Sequence, residues 1–300
     1  MRRGEEVLVA SIARKVPRRR AVEVGIGDDA AVVRMSAGRY AWTTDTLVET
    51  VDFLPEERPY WIGRRAAAAN LSDLAAMGAR PLGYLLSLAF PPSRGVSYGR
   101  RIAEGVISKM EGEGALLWGG DLSGTPQTVV TIALVGDAPW PVLRTGARAG
   151  DLLFATGTPG LAARGLQERR VGRAPRQAER AFLDPQPRVR FARALARERI
   201  ATAMIDISDG LGRDAGRLAA ASRVRVELRG VSREAIVGGD DFELLFSAPE
   251  ARWPRIRRIA VRTSTPVFPV GLVRRGKGAV WIDGSRVVPV SGLGFDHFAR

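Results

Sequence analysis

The chain has no cysteine. That rules out disulfides, thiolate metal sites and cysteine nucleophiles. It has a single histidine, His297, near the C-terminal end. Multi-histidine zinc sites and Ser-His-Asp chemistry in the body of the chain are therefore excluded. Lysine occurs only at positions 15, 109 and 277, and Asn70 is the only asparagine. No run of eighteen uncharged apolar residues is present, so no transmembrane helix is expected. The first twenty residues are interrupted by charge and lack the apolar region of a signal peptide. The expectation is a soluble, cytoplasmic protein without a membrane partner.

What is abundant is arginine. The net charge is +14 over 300 residues, and hydrophobic residues make up 45 % of the chain. That is enough apolar material for a core, and the length suits two domains. A positive field of this size favours anionic partners. Nucleic acid is not expected among them. The arginine-rich stretch 164–199 carries only Phe182 and Phe191 as aromatics, whereas binding of single strands uses interleaved stacking rings.

Periodicity and turn residues divide the chain into alternating helices and strands. An amphipathic helix is expected over 5–16, followed by strands at 30–34, 41–44 and 47–53. Pro59 opens a long helix that Gly78 ends. Strands follow at 82–90, 115–118 and 128–136, with a helix over 97–113. Residues 138–141 hold two prolines, which places a linker and a domain boundary near residue 140. The second half repeats the mixture. It has strands at 151–156, 202–206, 224–228, 243–247, 267–273 and 279–282, and helices after Gly160, over 210–221 and near 249–259. This pattern predicts two α/β or α+β domains, 1–140 and 141–300.

Six short motifs could carry chemistry. Gly25-Ile26-Gly27-Asp28-Asp29 is either a tight turn or a cation site, because its glycines fold the backbone and its acids offer hard oxygens. Thr43-Thr44-Asp45-Thr46 either binds a metal or phosphate, or caps the next element. In Asn70-Leu71-Ser72-Asp73 the asparagine and aspartate share a helix face. Their neighbours are alanine and leucine, so Asp73 reads as a functional acid, since a buried carboxylate needs a partner or a metal. Gly119-Gly120-Asp121 follows a strand, where α/β sheets commonly hold ligands, or forms a simple turn. Asp206-Ile207-Ser208-Asp209-Gly210 lies between strand and helix. Ser208 or Asp209 could serve as a cap, or the free N–H groups could meet phosphate. Gly238-Gly239-Asp240-Asp241-Phe242-Glu243 is an acidic turn or an acidic site.

In order and spacing these blocks resemble the thiamine-monophosphate kinase family of the aminoimidazole-ribonucleotide synthetase superfamily. The matching stretches are GIGDDAAVV, TTDTLVETVDF, NLSDLAAMGARP, GGDLSG, RTGARAGDLLFATGTPG, MIDISDGLGRDAGRLAAAS and GGDDFELLF, with a tail of GFDHF. The resemblance implies a two-domain α/β fold, usually homodimeric through N-terminal strands, that binds ATP and several Mg²⁺ ions and phosphorylates thiamine monophosphate to thiamine diphosphate. It implies metal ligands at Asp29, Thr43, Asp45, Asp73, Asp121, Asp206 and Asp209. It implies ATP contacts at Thr44, Gly120, Arg144 and Ser208, and acceptor contacts at Asp52, Asp240 and Phe295. The acceptor side departs from the family. Asp52 stands where His is frequent, Asp240 where Glu is usual, and Phe295 where Tyr or Trp is frequent. The connection from Leu228 to Gly238 is also short.

The chemistry fits such a function. Two unit charges ~4 Å apart repel by about 4 kcal/mol at an effective dielectric near 20, and bound cations reverse that sign. No GxxxxGK[ST] loop exists and no motif holds a lysine, so a triphosphate would be held by metal, backbone N–H groups and arginine. A phosphate acceptor needs no general base, because its second pKa is about 6. The competing expectations are a purine-synthesis enzyme of the same superfamily, which uses ATP to activate a carbonyl oxygen, and a basic nucleic-acid-binding protein.

Overall fold

The computed structural model describes residues 22–24, 28–29, 31–35, 38–170, 176–290 and 292–296. The helix expected over 5–16, the glycines of the first motif and His297 lie outside the described residues.

Two sheets are formed. The first has the order β1 (Val22–Val24), β2 (Ala31–Met35), β3 (Gly38–Val48), β6 (Val129–Asp137), β4 (Arg80–Phe90), β5 (Leu116–Gly124). It is antiparallel except for β4–β5, which run parallel through the crossover helix α2 (Gly95–Gly112). The second has the order β13 (Arg286–Pro289), β12 (Gly278–Asp283), β9 (Arg225–Arg229), β11 (Val267–Arg274), β7 (Leu152–Thr156), β10 (Glu243–Ala248), β8 (Ala203–Ile207). The sheets share no strand, and 138–151 connects them. Helices α3 (Leu161–Arg170), α4 (Arg176–Leu183), α5 (Val189–Arg197), α6 (Leu211–Ser222), α7 (Arg233–Val237) and α8 (Trp253–Arg262) belong to the second half. The resulting mixed α/β architecture in two halves is the expected fold class.

The helix α1 (Pro59–Ala76) joins the halves. Proline opens it, and Gly78 at φ +66° ends it while the Ala79 N–H returns to the Leu74 carbonyl. Its alanine run is buried on all sides, as expected for a helix without a solvent face. One side packs on β3 and β6, the other on α5, β8 and β10. Phe154, Phe191 and Phe246 therefore share one apolar cluster with Leu71, Leu74 and Met77. Small residues also bring α2 close. A Cβ on Gly63 would lie 2.0 Å from the Ile102 carbonyl oxygen, and one on Gly105 would lie 2.0 Å from that of Tyr60.

Several boundaries differ from expectation. The strands expected at 41–44 and 47–53 are one strand that stops at Val48. There Thr50 takes φ +71° and the Asp52 carboxylate accepts the Val48 N–H at 2.7 Å. That side-chain bond competes with strand continuation. Gly119-Gly120-Asp121 does not follow a strand but lies inside β5, because β4 keeps pairing with it through Gly124. α7 and β13 had no signal strong enough to be expected. α8 starts at Trp253, after a short 3₁₀ turn. Among the described residues no helix is long and apolar enough to cross a membrane.

Candidate functional site

A cavity of about 800 Å³ opens between the halves, lined by α1, the end of β3, the end of β8 and the loops before α6 and β10. Three carboxylates on three separate elements converge beside it, and two of them, Asp73 and Asp206, line it. Asp29 precedes β2, Asp73 sits on α1 and Asp206 is near the end of β8. One oxygen from each lies within 4.8 Å of the others. Strand alternation aims Thr43 and Asp45 inward to these acids. The Thr43 hydroxyl donates to Asp73, and the Asp45 N–H donates to Asn70 Oδ1 at 3.1 Å. The buried Asn70 amide is itself anchored on the Ala66 carbonyl at 3.0 Å. The Ser72 hydroxyl donates to Asp206 at 2.9 Å.

Burial, and then the neighbouring acids, push the Asp73 and Asp206 carboxyls well above their ordinary range. Burial and Asp29 raise Asp28 to about 6. Without a cation the trio resists carrying three full negative charges. Arg144 supplies one countercharge. Its Nε donates to Asp29 at 2.8 Å, and its Nη2 pairs with the same carboxylate. Burial opposes its charge, yet Asp29, Asp28 and Asp206 hold it protonated. Clustered hard oxygens, a hydroxyl and excess negative charge fit a hard divalent cation such as magnesium.

The loop from Asp206 to Gly210 is held from below. Asp214, fully buried on α6, accepts the N–H groups of Ser208 and Asp209 at 3.1 Å each. Burial raises its carboxyl to about 7 despite Arg217 at 2.9 Å. Arg217 also pairs with Asp209 at 2.6 Å. Ser208 and Asp209 thus line the cavity on a braced loop.

The cavity is also lined by Asp52, Asp240 and Phe295, together with Phe53, Phe182 and Val237. The Phe295 N–H bonds the Asp209 carbonyl at 3.0 Å, which fixes the C-terminal segment over the cavity. Asp240, at φ +67°, pairs with Arg65 at 2.7 Å. The next two acids of that block have other work. Asp241 accepts the N–H groups of Gly160 and Ala162 at 2.6 and 3.1 Å, and burial raises it to about 8. Glu243 is clamped by Arg188 and Thr156.

Three expected contacts are not brought to this cavity within the single chain. Thr44 points to the exposed face of β3, opposite Thr43 and Asp45, because side chains alternate along a strand. Gly120 and Asp121 lie on edge strand β5, in register with Leu86 and Ser87. Asp121 is exposed and accepts the Ser123 hydroxyl at 3.0 Å. Conversely, Arg65, Phe182, Asp214 and Arg217 belong to the site and were not singled out in the sequence. The available signal was Arg65, a charge in an alanine helix eight residues before Asp73.

Asp52 has a backbone role that the sequence did not reveal. Asp52→His removes a carboxylate acceptor for the Val48 N–H and costs about 1 kcal/mol. Asp52→Asn, which keeps a carbonyl acceptor, costs less. Urea unfolding of the two variants checks this, and equal midpoints to the parent would remove the turn bond from consideration.

This arrangement can be set against known proteins. Residues 27–138 match the family described as AIR synthase related protein, N-terminal domain, and residues 148–253 match its C-terminal domain. Thiamine-monophosphate kinase of Aquifex aeolicus is 32 % identical over 297 residues, covering 91 % of this chain and 92 % of that protein. This chain belongs to the thiamine-monophosphate kinase family. The Escherichia coli K12 member is also 32 % identical, over 99 % of this chain and 98 % of that one. The solved structure of AaThiL complexed with AMPPCP and TMP superposes with a TM-score of 0.85 at 30 % identity, covering 99 % of both chains.

Proposed function

We propose that this chain transfers the terminal phosphoryl group of ATP to thiamine monophosphate, giving thiamine diphosphate and ADP. The observation that carries the reading is one cavity bordered both by members of a cation-seeking acid trio and by the rings of Phe53, Phe182 and Phe295. The kinase family supports it, as does the AaThiL complex, whose AMPPCP is a methylene analogue of ATP.

Asp29, Asp73 and Asp206, with Thr43 and Asp45 beside them, would hold magnesium, while Asp209 lines the same cavity paired with Arg217. Bound magnesium supplies charge neutralisation for the phosphate oxygens. The chain itself positions the reactants. An acceptor phosphate oxygen forms the new P–O bond to the γ-phosphorus as the bond to the β,γ-bridging oxygen breaks, and ADP leaves with that electron pair. The acceptor is already ionised near neutral pH, so no side chain need remove its proton. Arg144 and the braced Ser208 loop would meet the nucleotide's phosphates. Asp240 and Phe295 face the acceptor ring, where Phe295 supplies a stacking surface.

A homodimer is part of this reading. The outer face of the first sheet leaves Trp42 43 % and Leu85 49 % exposed, and edge strand β5 leaves Trp118 58 % exposed, which suits burial against a second copy. Thr44, Gly120 and Asp121 lie on this sheet away from the acid trio, so any part they play in ATP or metal binding depends on that assembly. A cytoplasmic location, where ATP and magnesium are at hand, completes the reading.

The test is direct. Purified protein with ATP, Mg²⁺ and thiamine monophosphate should form thiamine diphosphate and ADP in equal amounts. Aminoimidazole precursors and nucleoside monophosphates should be poor acceptors. A clear preference for either would overturn the acceptor assignment.

A further inference from the structure

Arg65 is an unusual residue for its place. Its side chain is 5 % exposed on an alanine-rich helix, yet it borders the cavity. Its guanidinium carbon lies 4.0 Å from the centroid of the Phe182 ring, a cation–π contact. One terminal nitrogen, Nη2, binds Asp240 Oδ2 at 2.7 Å. The other, Nη1, is buried without a hydrogen-bond partner. A buried unsatisfied donor on a cation is costly. The ion pair alone leaves this second donor unpaired.

The position along α1 gives a ruler. Arg65, Ala69 and Asp73 border the same cavity at intervals of four residues, so they form one stripe of the helix. Eight residues at 1.5 Å each separate Arg65 from Asp73 by about 12 Å. Asp73 marks the cation end. Arg65 therefore meets the far end of an acceptor whose phosphate lies near the acids.

We propose that Arg65 and Asp240 together read the hydrogen-bonding edge of the acceptor's heterocycle. Arg65 Nη1 offers a donor and the free Asp240 oxygen, Oδ1, offers an acceptor beside it. The complementary edge is a ring nitrogen next to an exocyclic amine, as in a 4-aminopyrimidine. The Arg65–Asp240 pair is neutral as a unit, so recognition here is by donor and acceptor pattern. The inference rests on the acceptor proposed above and adds Arg65 as a specificity-determining residue.

The experiment compares thiamine monophosphate with its 4-oxo analogue, in which the ring nitrogen becomes a donor and the substituent an acceptor. The parent protein should prefer the amino form by about a hundredfold or more in kcat/KM. Arg65→Met should raise KM for thiamine monophosphate about tenfold and shrink that preference severalfold, with KM for ATP little changed. Arg65→Lys keeps a cation for Asp240. It should restore the melting temperature but not the full preference, and it carries the test if the methionine variant does not fold. A parent protein that makes no thiamine diphosphate defeats the proposed function. An active parent whose preference is unchanged in both variants defeats the role of Arg65 alone.

Discussion

Asp73→Asn is expected to lower kcat on the order of a thousandfold while leaving the fold intact, because it removes one acid from a convergent cation site at nearly constant size. The same change should stabilise the magnesium-free protein. In the folded state Asp73 and Asp206 titrate well above their ordinary value of 3.8, first through burial and then through neighbouring acids. The folded protein then holds protons that the unfolded chain releases. Stability from these groups is fully present below about pH 4 and is lost as pH rises toward the folded values. Asp28 near 6, Asp214 near 7 and Asp241 near 8 extend the window to neutral pH and just beyond. Melting temperatures of the magnesium-free parent should therefore fall between pH 5 and pH 8, and Mg²⁺ should restore them. The asparagine variant should fall less and respond less to Mg²⁺. Near-normal turnover of the variant at saturating Mg²⁺ would take Asp73 out of the site.

Asp184→Ala is the second large effect, and it acts on stability. Asp184 joins α4 to the first half of the chain. Arg64 binds it through Nε and Nη2 at 2.9 and 3.0 Å, and Lys109 Nζ binds it at 2.8 Å. Lys109 Nζ also donates to the Pro185 carbonyl at 2.7 Å. The Asp184 and Lys109 side chains are 4 % and 5 % exposed. Burial works against the Asp184 charge, yet Arg64 and Lys109 hold its carboxyl below the ordinary range. Removing it leaves Lys109 buried and without its carboxylate, at a cost of about 3–5 kcal/mol. In urea the unfolding midpoint should drop accordingly. Because α4 carries Phe182 beneath Arg65, acceptor KM should rise before KM for ATP does. An unfolding free energy within about 0.5 kcal/mol of the parent's would show that the triad is not what fastens α4.

Much of the site was legible because its chemistry is local in sequence. Asp73 stands out as an acid among alanines, and Asp206 as an acid that capping does not need. Asn70 reads correctly as Asp73's neighbour, although its task is to hold the Asp45 N–H. Other assignments needed the structure, because one residue type serves several purposes. In Asp240-Asp241-Phe242-Glu243 three acids look alike, yet Asp241 closes the start of α3 and Glu243 is held by Arg188. Only Asp240 borders the cavity among the three. Asp52 looked like an acceptor contact, and its carboxylate also ends a strand. A local motif cannot show which distant N–H a carboxylate will meet.

The amino-acid sequence by itself determined the two mixed halves, the long apolar helix between Pro59 and Gly78, and the choice of Asp29, Asp73 and Asp206 as candidate ligands. These depend on periodicity, turn chemistry and the cost of burying charge, all of which act over a few residues. Only the tertiary structure decided which acids converge. Asp29, Asp73 and Asp206 are far apart in the chain and meet because α1 is packed between two sheets. The same packing placed Arg65 beside Asp240 and left Thr44 and Asp121 on another face. Those choices follow from strand register and from which side of a helix faces a cavity, and both are set by contacts between residues distant in sequence.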